Sequence, residues 1–389
     1  MADQLAAVSP NVLKWARTSL GLDLYEVSHE LGKDIEIIEM WERGEGSPTY
    51  AQLEKLAYTV YKRPLAIFFM QEPPSESNIK TEFRTFFGFN GNKLEKDTHL
   101  AIRDGKARQL YLSEFSESQD AQNFISWLKK LRLENTSIEV ISEKVRAKLD
   151  VSESLISRTK KPEAALEIWR DAIEKTGIFV FKRAFKQNNI SGFCLLHEKF
   201  PVIYLNNKTS FTRQIFTILH ELAHLAFDVS GVCSVDTAYI PLLEPAERKI
   251  EEWCDKFAAE VLVPKSGFLA LMGKSFNEER IEYIARHFRV SPAVIARKGY
   301  DLELIDKNWL DDLMRQYFPD NWRSYKKTDD DKGGGGDYYN TQLQYLSRRY
   351  LIEAYKKYST GQISASAISD YLGVKVTSLA GLESRLIKG

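Results

Sequence analysis

The chain has 389 residues, 43% of them hydrophobic and 12% aromatic, enough to bury a sizeable core and to fill two or three domains. Fifty-four Lys and Arg balance fifty-four Asp and Glu, so no overall field draws the protein to nucleic acid or a membrane, and any such contact must come from a local patch. Three cysteines without CxxC spacing (Cys194, Cys233, Cys254) argue against a disulfide scaffold, and neither a signal-peptide pattern nor an apolar run of about eighteen residues is present, so the expectation is a soluble cytoplasmic protein with no membrane partner.

Residues 10 to 70 read as short helical units. "NVLKWARTSLG", "LDLYEVSHELG", "DIEIIEMWERGEG" and "TYAQLEKLAYTVYKR" each place apolar residues three to four apart, and Gly21, Gly32 and Gly44 sit where helices would stop. The stretch "LKWARTSLGLDLYEVSHELGKDIEIIEMWERGEGSPTYAQLEKLA" resembles the Xre-type helix-turn-helix family, with Trp41, Glu42, Gly44 and Pro48 at that family's signature positions. The resemblance implies duplex DNA as a ligand and the helix near Asp34 to Trp41 as the reader. That helix instead carries Asp34, Glu36 and Glu39 where DNA-reading members have Arg, Gln, Ser or Thr, and residues 1 to 63 hold seven Lys and Arg against ten Asp and Glu. Phosphate contact dominates DNA affinity, so docking of a protein partner stands beside DNA binding as a reading of this bundle.

"MQEPPSESNIK" (70 to 80) reads as a linker, and the pattern from about 95 to 175 is helical again. The period then changes. "GIFVFKRAF", "ISGFCLLHE" and "FPVIYLNN" are short β-branched and aromatic runs, as three successive strands would be, and helices are expected at about 209 to 227, 245 to 261 and 277 to 287.

The first of those helices contains "HELAH". Residues four apart share a helical face, so His220 and His224 can reach one metal ion while Glu221 points to the open side. A catalytic zinc site needs a third protein ligand, and "ERKIEEWCDKFAAEVLVP" supplies one in Glu251, with Asp255 one turn on to accept the second ring N–H of a ligand histidine. Glu252 is the runner-up ligand but lacks an aspartate four residues on, and Cys254 occupies a small-residue packing position. Residues 160 to 300 resemble the ImmA/IrrE family of gluzincin-type metallopeptidases through "FTILHELAHLAFD", "EEWCDKFAAEVLVP", "ISGFCLLHEKFPVIYLNN" and "FRVSPAVIARKG". The resemblance implies a zinc endopeptidase with ligands His220, His224 and Glu251 and general base Glu221, acting on a protein partner, as some members cleave a repressor. "FPVIYLNN" is a candidate strand for pairing with an extended substrate, and His287 and Tyr283 are candidate oxyanion donors whose ordinary reading is packing or surface.

"KKTDDDKGGGGDYY" reads as a flexible break before a tail, residues 338 to 389, with seven Lys and Arg against three Asp and Glu. Its "ISDYLGVKVTSLAGLES" has the helix, glycine turn and helix rhythm of the N-terminal "VSHELGKDIEIIEMWER", so it is either a second helix-turn-helix or a packing appendage. The expected fold is α+β: an all-α helix-turn-helix bundle (1–75), a central zincin-like metallopeptidase domain with a small mixed sheet (76–315) and a linker with a helical tail (316–389). Two functions compete. One is a zinc-dependent protease-regulator of a repressor or small toxin; the other is an antitoxin or autoregulator, beside a partner such as a PIN-type ribonuclease, whose metal is structural. The intact Glu221 favours the first, because a structural site needs no base.

Overall fold

The computed structural model describes residues 7–76, 94–116, 120–134, 136–187, 189–234, 243–317 and 337–388; residues 77–80 of the first expected linker and 326–336 of the second lie outside them. The fold is α+β, with a helical N-terminal bundle, a central region around one four-stranded sheet, and a helical C-terminus. Two compact units form, one drawn from Met1–Glu82 and Gly91–Arg103, the other holding Asp104–Gly389, with the division inside the helix Lys96–Phe115.

In the first unit, the helices Pro10–Thr18, Leu24–Leu31, Ile35–Arg43 and Tyr50–Lys55 begin and end where their local chemistry dictates. Asp23 and Glu26 cap each other's backbone N–H groups at 2.8 Å, Thr49 and Gln52 form a second such box, and Gly32 and Gly44 end their helices in the left-handed conformation. Val12, Leu13, Ala16, Val27, Leu31, Ile38, Trp41 and Leu53 form its core. The Arg17 guanidinium donates two 2.7 Å bonds to the two oxygens of Glu42, a bidentate pair tying the first helix to the third.

In the second unit, strands β1 (Phe179–Arg183), β2 (Ile190–Leu195), β3 (Val202–Asn206) and β4 (Val232–Ser234) lie in the order β1-β3-β2-β4. β1 and β3 are parallel, while β2 runs antiparallel to both β3 and β4. Both faces are covered, which is why β1 to β3 are almost continuously buried and read in sequence as unbroken apolar runs. The helix Phe211–Leu225 packs on β2 and against the helices Pro162–Lys175 and Pro245–Leu262. The strand expected to pair with substrate is β3, and this expectation is corrected. β3 is bonded on one side to β1 and on the other to β2, so it has no free edge; β4 ends the sheet among the described residues.

The tail packs within this second unit. Arg170, 3% exposed on the helix Pro162–Lys175, donates to the carbonyls of Gln344 and Leu346 as well as to that of Val180, and Arg349 N–H donates to Glu174 at 3.1 Å. Tyr350, Leu351, Ala354, Ile368, Leu372, Leu379 and Leu382 are buried around it. Among the described residues no helix is long and apolar enough to cross a membrane.

Candidate metal centre

Ser210 starts the helix Phe211–Leu225 by accepting from the N–H of Arg213 at 3.2 Å, and the helix is buried along most of its length. His220, Glu221 and His224 are 2%, 0% and 0% exposed. Opposite, Pro245 opens the helix Pro245–Leu262 at its first position, and this helix presents Glu251, itself 2% exposed. His220 Nε2 and His224 Nε2 lie 3.1 Å apart, His220 Nε2 lies 3.4 Å from Glu251 Oε2, and His224 Nε2 lies 3.5 Å from Glu251 Oε1. Tetrahedral bonds of about 2.0–2.1 Å would set ligand atoms about 3.3 Å from each other, so these three groups already have the spacing of a shared ion.

The surroundings fit a metal as well. Burial works against ionisation of Glu251, but the His224 and His220 imidazoles outweigh it and hold the carboxyl well below the usual range, which keeps the ligand in the anionic form a cation needs. Asp255 Oδ1 lies 2.9 Å from His220 Nδ1, on the far side of the ring from the Nε2 that faces the shared position. Both Glu221 oxygens are buried, and the Cys194 thiol lies against the carboxyl as a weak donor. Burial raises the Glu221 pKa, moving this group toward the range in which a carboxylate can take up a proton near neutral pH.

Other candidates go elsewhere. Glu252 is exposed, and Cys254 is fully buried in the core. His287 Nε2 lies 2.8 Å from Glu153 Oε1, and Tyr283 is 45% exposed with the Arg280 guanidinium over its ring, so each has a packing or surface role.

Gly231 escapes a reading based on spacing. A Cβ built there would stand 2.5 Å from the His224 ring and 3.0 Å from Glu221 Oε2, so only glycine lets the chain pass over the site. Its N–H donates to Cys194 Sγ at 3.2 Å and its carbonyl accepts from Cys194 N–H at 2.9 Å, which fixes that passage to β2. Nothing local marks it, because the approach is made by a residue seven positions beyond His224 through the path of the β2–β4 pairing. Gly231→Ala should displace the His224 ring and weaken the site's hold on any divalent cation it binds about tenfold to a hundredfold, read by competition with a chromophoric chelator. Unchanged affinity would mean that the ring moves aside without loss.

Residues 173–299 match the family model of the IrrE N-terminal-like domain, and residues 13–57 match that of the helix-turn-helix. No curated protein matches the chain. The first match encloses all four strands and the three residues whose ligand atoms converge.

Proposed function

We propose, for a chain that joins a helix-turn-helix domain to an IrrE-like peptidase domain, that the central domain is a zinc endopeptidase acting on a protein partner. His220, His224 and Glu251 are the ligands, Glu221 is the general base and Asp255 orients His220. The observation that carries this reading is Glu221: a fully buried carboxylate, one residue from His220, with the weak donor of the Cys194 thiol against it, is costly to keep unless it acts. A structural site would bury an apolar residue there.

When bound, zinc would supply Lewis acidity, acidifying water and polarising a carbonyl oxygen. Glu221 takes the proton of the attacking water and passes it to the leaving amine, a transfer helped by its raised pKa. His220 and His224 hold their ring planes through burial, with Asp255 beside His220, and Gly231 lets the chain cross against the His224 ring and Glu221 without displacing either. β4 ends the sheet among the described residues and is the strand beside which an extended substrate backbone would add. Repressors and small toxins, PIN-type ribonucleases among them, are the partners that the family resemblance puts first.

Elemental analysis of the purified protein tests the ligand set. One zinc per chain is expected, with Glu251→Ala and His220→Ala each losing most of it. Either variant holding zinc as tightly as the parent would show that the ligands are misassigned.

A further inference from the structure

The C-terminal tail repeats the N-terminal helix-turn-helix position by position, 341 residues on. Leu24–Leu31 corresponds to Ala365–Leu372, and both helices have eight residues. Each is capped by a side chain three residues ahead of the N–H it accepts from, Asp23 from Glu26 and Ser364 from Ala367. Each ends on a left-handed glycine, Gly32 (φ 71°, ψ 45°) and Gly373 (φ 65°, ψ 33°). In each turn one serine hydroxyl donates to the carbonyl five residues on: Ser28 to Lys33 at 2.6 Å and Ser369 to Val374 at 2.5 Å. The N–H groups of Lys33 and Val374 return to the same serines' carbonyls at 3.1 Å. Asp34 and Lys375 then cap the next helix with matching backbones (φ −65°, ψ 148°; φ −71°, ψ 146°), although the tail copy enters it through a 3₁₀ turn, Val376–Ser378. The buried positions coincide: Val27 with Ile368, Leu31 with Leu372, Ile38 with Leu379, Trp41 with Leu382. Packing alone does not require a side chain-closed turn to recur with these four core positions of the two flanking helices in register.

The outer faces differ in one consistent way. Asp23, Glu26, Asp34, Glu36 and Glu39 of the first copy correspond to Ser364, Ala367, Lys375, Thr377 and Ala380 of the second, while the counterpart of Glu30, Tyr371, packs against Tyr111 and Phe115. Over matched windows, residues 7–45 hold four Lys and Arg against eight Asp and Glu, a net of −4, and residues 348–386 hold six against three, a net of +3. Lys375, Val376, Thr377, Ala380 and Ser384 are exposed along the tail's second helix. Its far end is partly occupied: Tyr339 packs at Gly381 and Asp337 pairs with Arg385 at 2.5 Å. The first turn is the part of such a helix that meets base edges, and there a lysine, a threonine hydroxyl and a valine methyl group face outward.

We propose that residues 348–388 form a second helix-turn-helix and that this copy, not the acidic N-terminal one, is the chain's contact with duplex DNA. The proposal does not depend on the peptidase reading, since DNA binding and cleavage are measured separately and can fail separately.

The test is fluorescence anisotropy of the zinc-loaded full-length protein on a labelled random-sequence 30-base-pair duplex, across a salt series. Lys375→Asp, Thr377→Glu and Ala380→Glu together copy into the tail the acids that the first copy carries at the same exposed positions. This triple variant should bind at least about tenfold more weakly, with a flatter salt slope. Asp34→Lys, Glu36→Thr and Glu39→Ala together, the reverse exchange in the N-terminal copy, should not weaken binding. If the tail triple melts lower than the parent, Lys375→Asp alone carries the test, because aspartate is a good helix cap; about threefold weaker binding is then expected. Parent-like binding by the tail variant, loss of binding in the N-terminal variant, or no salt-dependent binding by the parent would each overturn the proposal.

Discussion

Glu221→Gln retains one zinc per chain and loses cleavage of the protein partner by roughly a hundredfold or more, because the amide keeps the size of the carboxylate but cannot take a proton. The zinc content should not change, since the converging ligand atoms belong to His220, His224 and Glu251. The fold should be at least as stable as the parent's. Glu221 is 0% exposed and burial disfavours its charge, and replacing a buried ionisable group by a neutral one relieves a desolvation cost. Loss of activity together with unchanged or raised stability is a pairing that a merely structural Glu221 would not produce. The measurement is incubation of the parent or the variant with candidate repressor and small-toxin partners, cleavage being read from intact mass. Undiminished cleavage by the variant would sink the mechanism. Full regulation of the partner by a variant that no longer cuts would favour the antitoxin reading.

The parts of this molecule that were legible in sequence are those set by neighbours within about a turn. The spacing of His220 and His224, the Glu251 and Asp255 pair and the stop glycines are all local, and local periodicity places them on helices. The strand runs were legible as strands because each is apolar throughout. Their order was not, since β1 pairs with β3 across the whole of β2, and a parallel partner leaves no mark in either strand. For the same reason the free edge was assigned to the wrong strand. Gly231 was missed because its neighbours His224 and Glu221 meet it only through the sheet. The tail's rhythm could be read, but its attachment could not. The residue that holds it, Arg170, looks in sequence like an ordinary helical arginine, and its acceptors Gln344 and Leu346 are backbone carbonyls 174 and 176 residues on.

That arginine sets the second large effect. Arg170→Ala should cost about 3–5 kcal/mol of the second unit's stability above pH 7, where Glu174 is ionised, the range for breaking a buried charged pair by removing one partner. Arg170 and Glu174 are 3% and 4% exposed with 3.5 Å between them, so the substitution leaves a buried carboxyl without its nearest cation and frees the carbonyls of Gln344 and Leu346. Even in the parent, burial pushes the Glu174 pKa from 4.5 up to about 7, against the pull of Arg170. The sign of the pH dependence follows. The folded chain keeps this proton between pH 4.5 and 7 while the unfolded chain releases it, so this contribution to stability is complete below 4.5, falls by at most about 3 kcal/mol as the pH rises through 7, and is then flat. Urea melts read by tryptophan fluorescence at pH 5 and pH 8 should show that fall in the parent and lose most of it in Glu174→Gln, which has no proton to release. In Arg170→Ala the nearest opposing cation is gone, so the fall should extend to higher pH, and limited proteolysis should cut the tail near Leu346 before the central domain. A Glu174→Gln protein with the parent's pH dependence would place the titrating group elsewhere. An Arg170→Ala protein within about 1 kcal/mol of the parent would mean that the tail is held by its apolar contacts and that the buried pair contributes little.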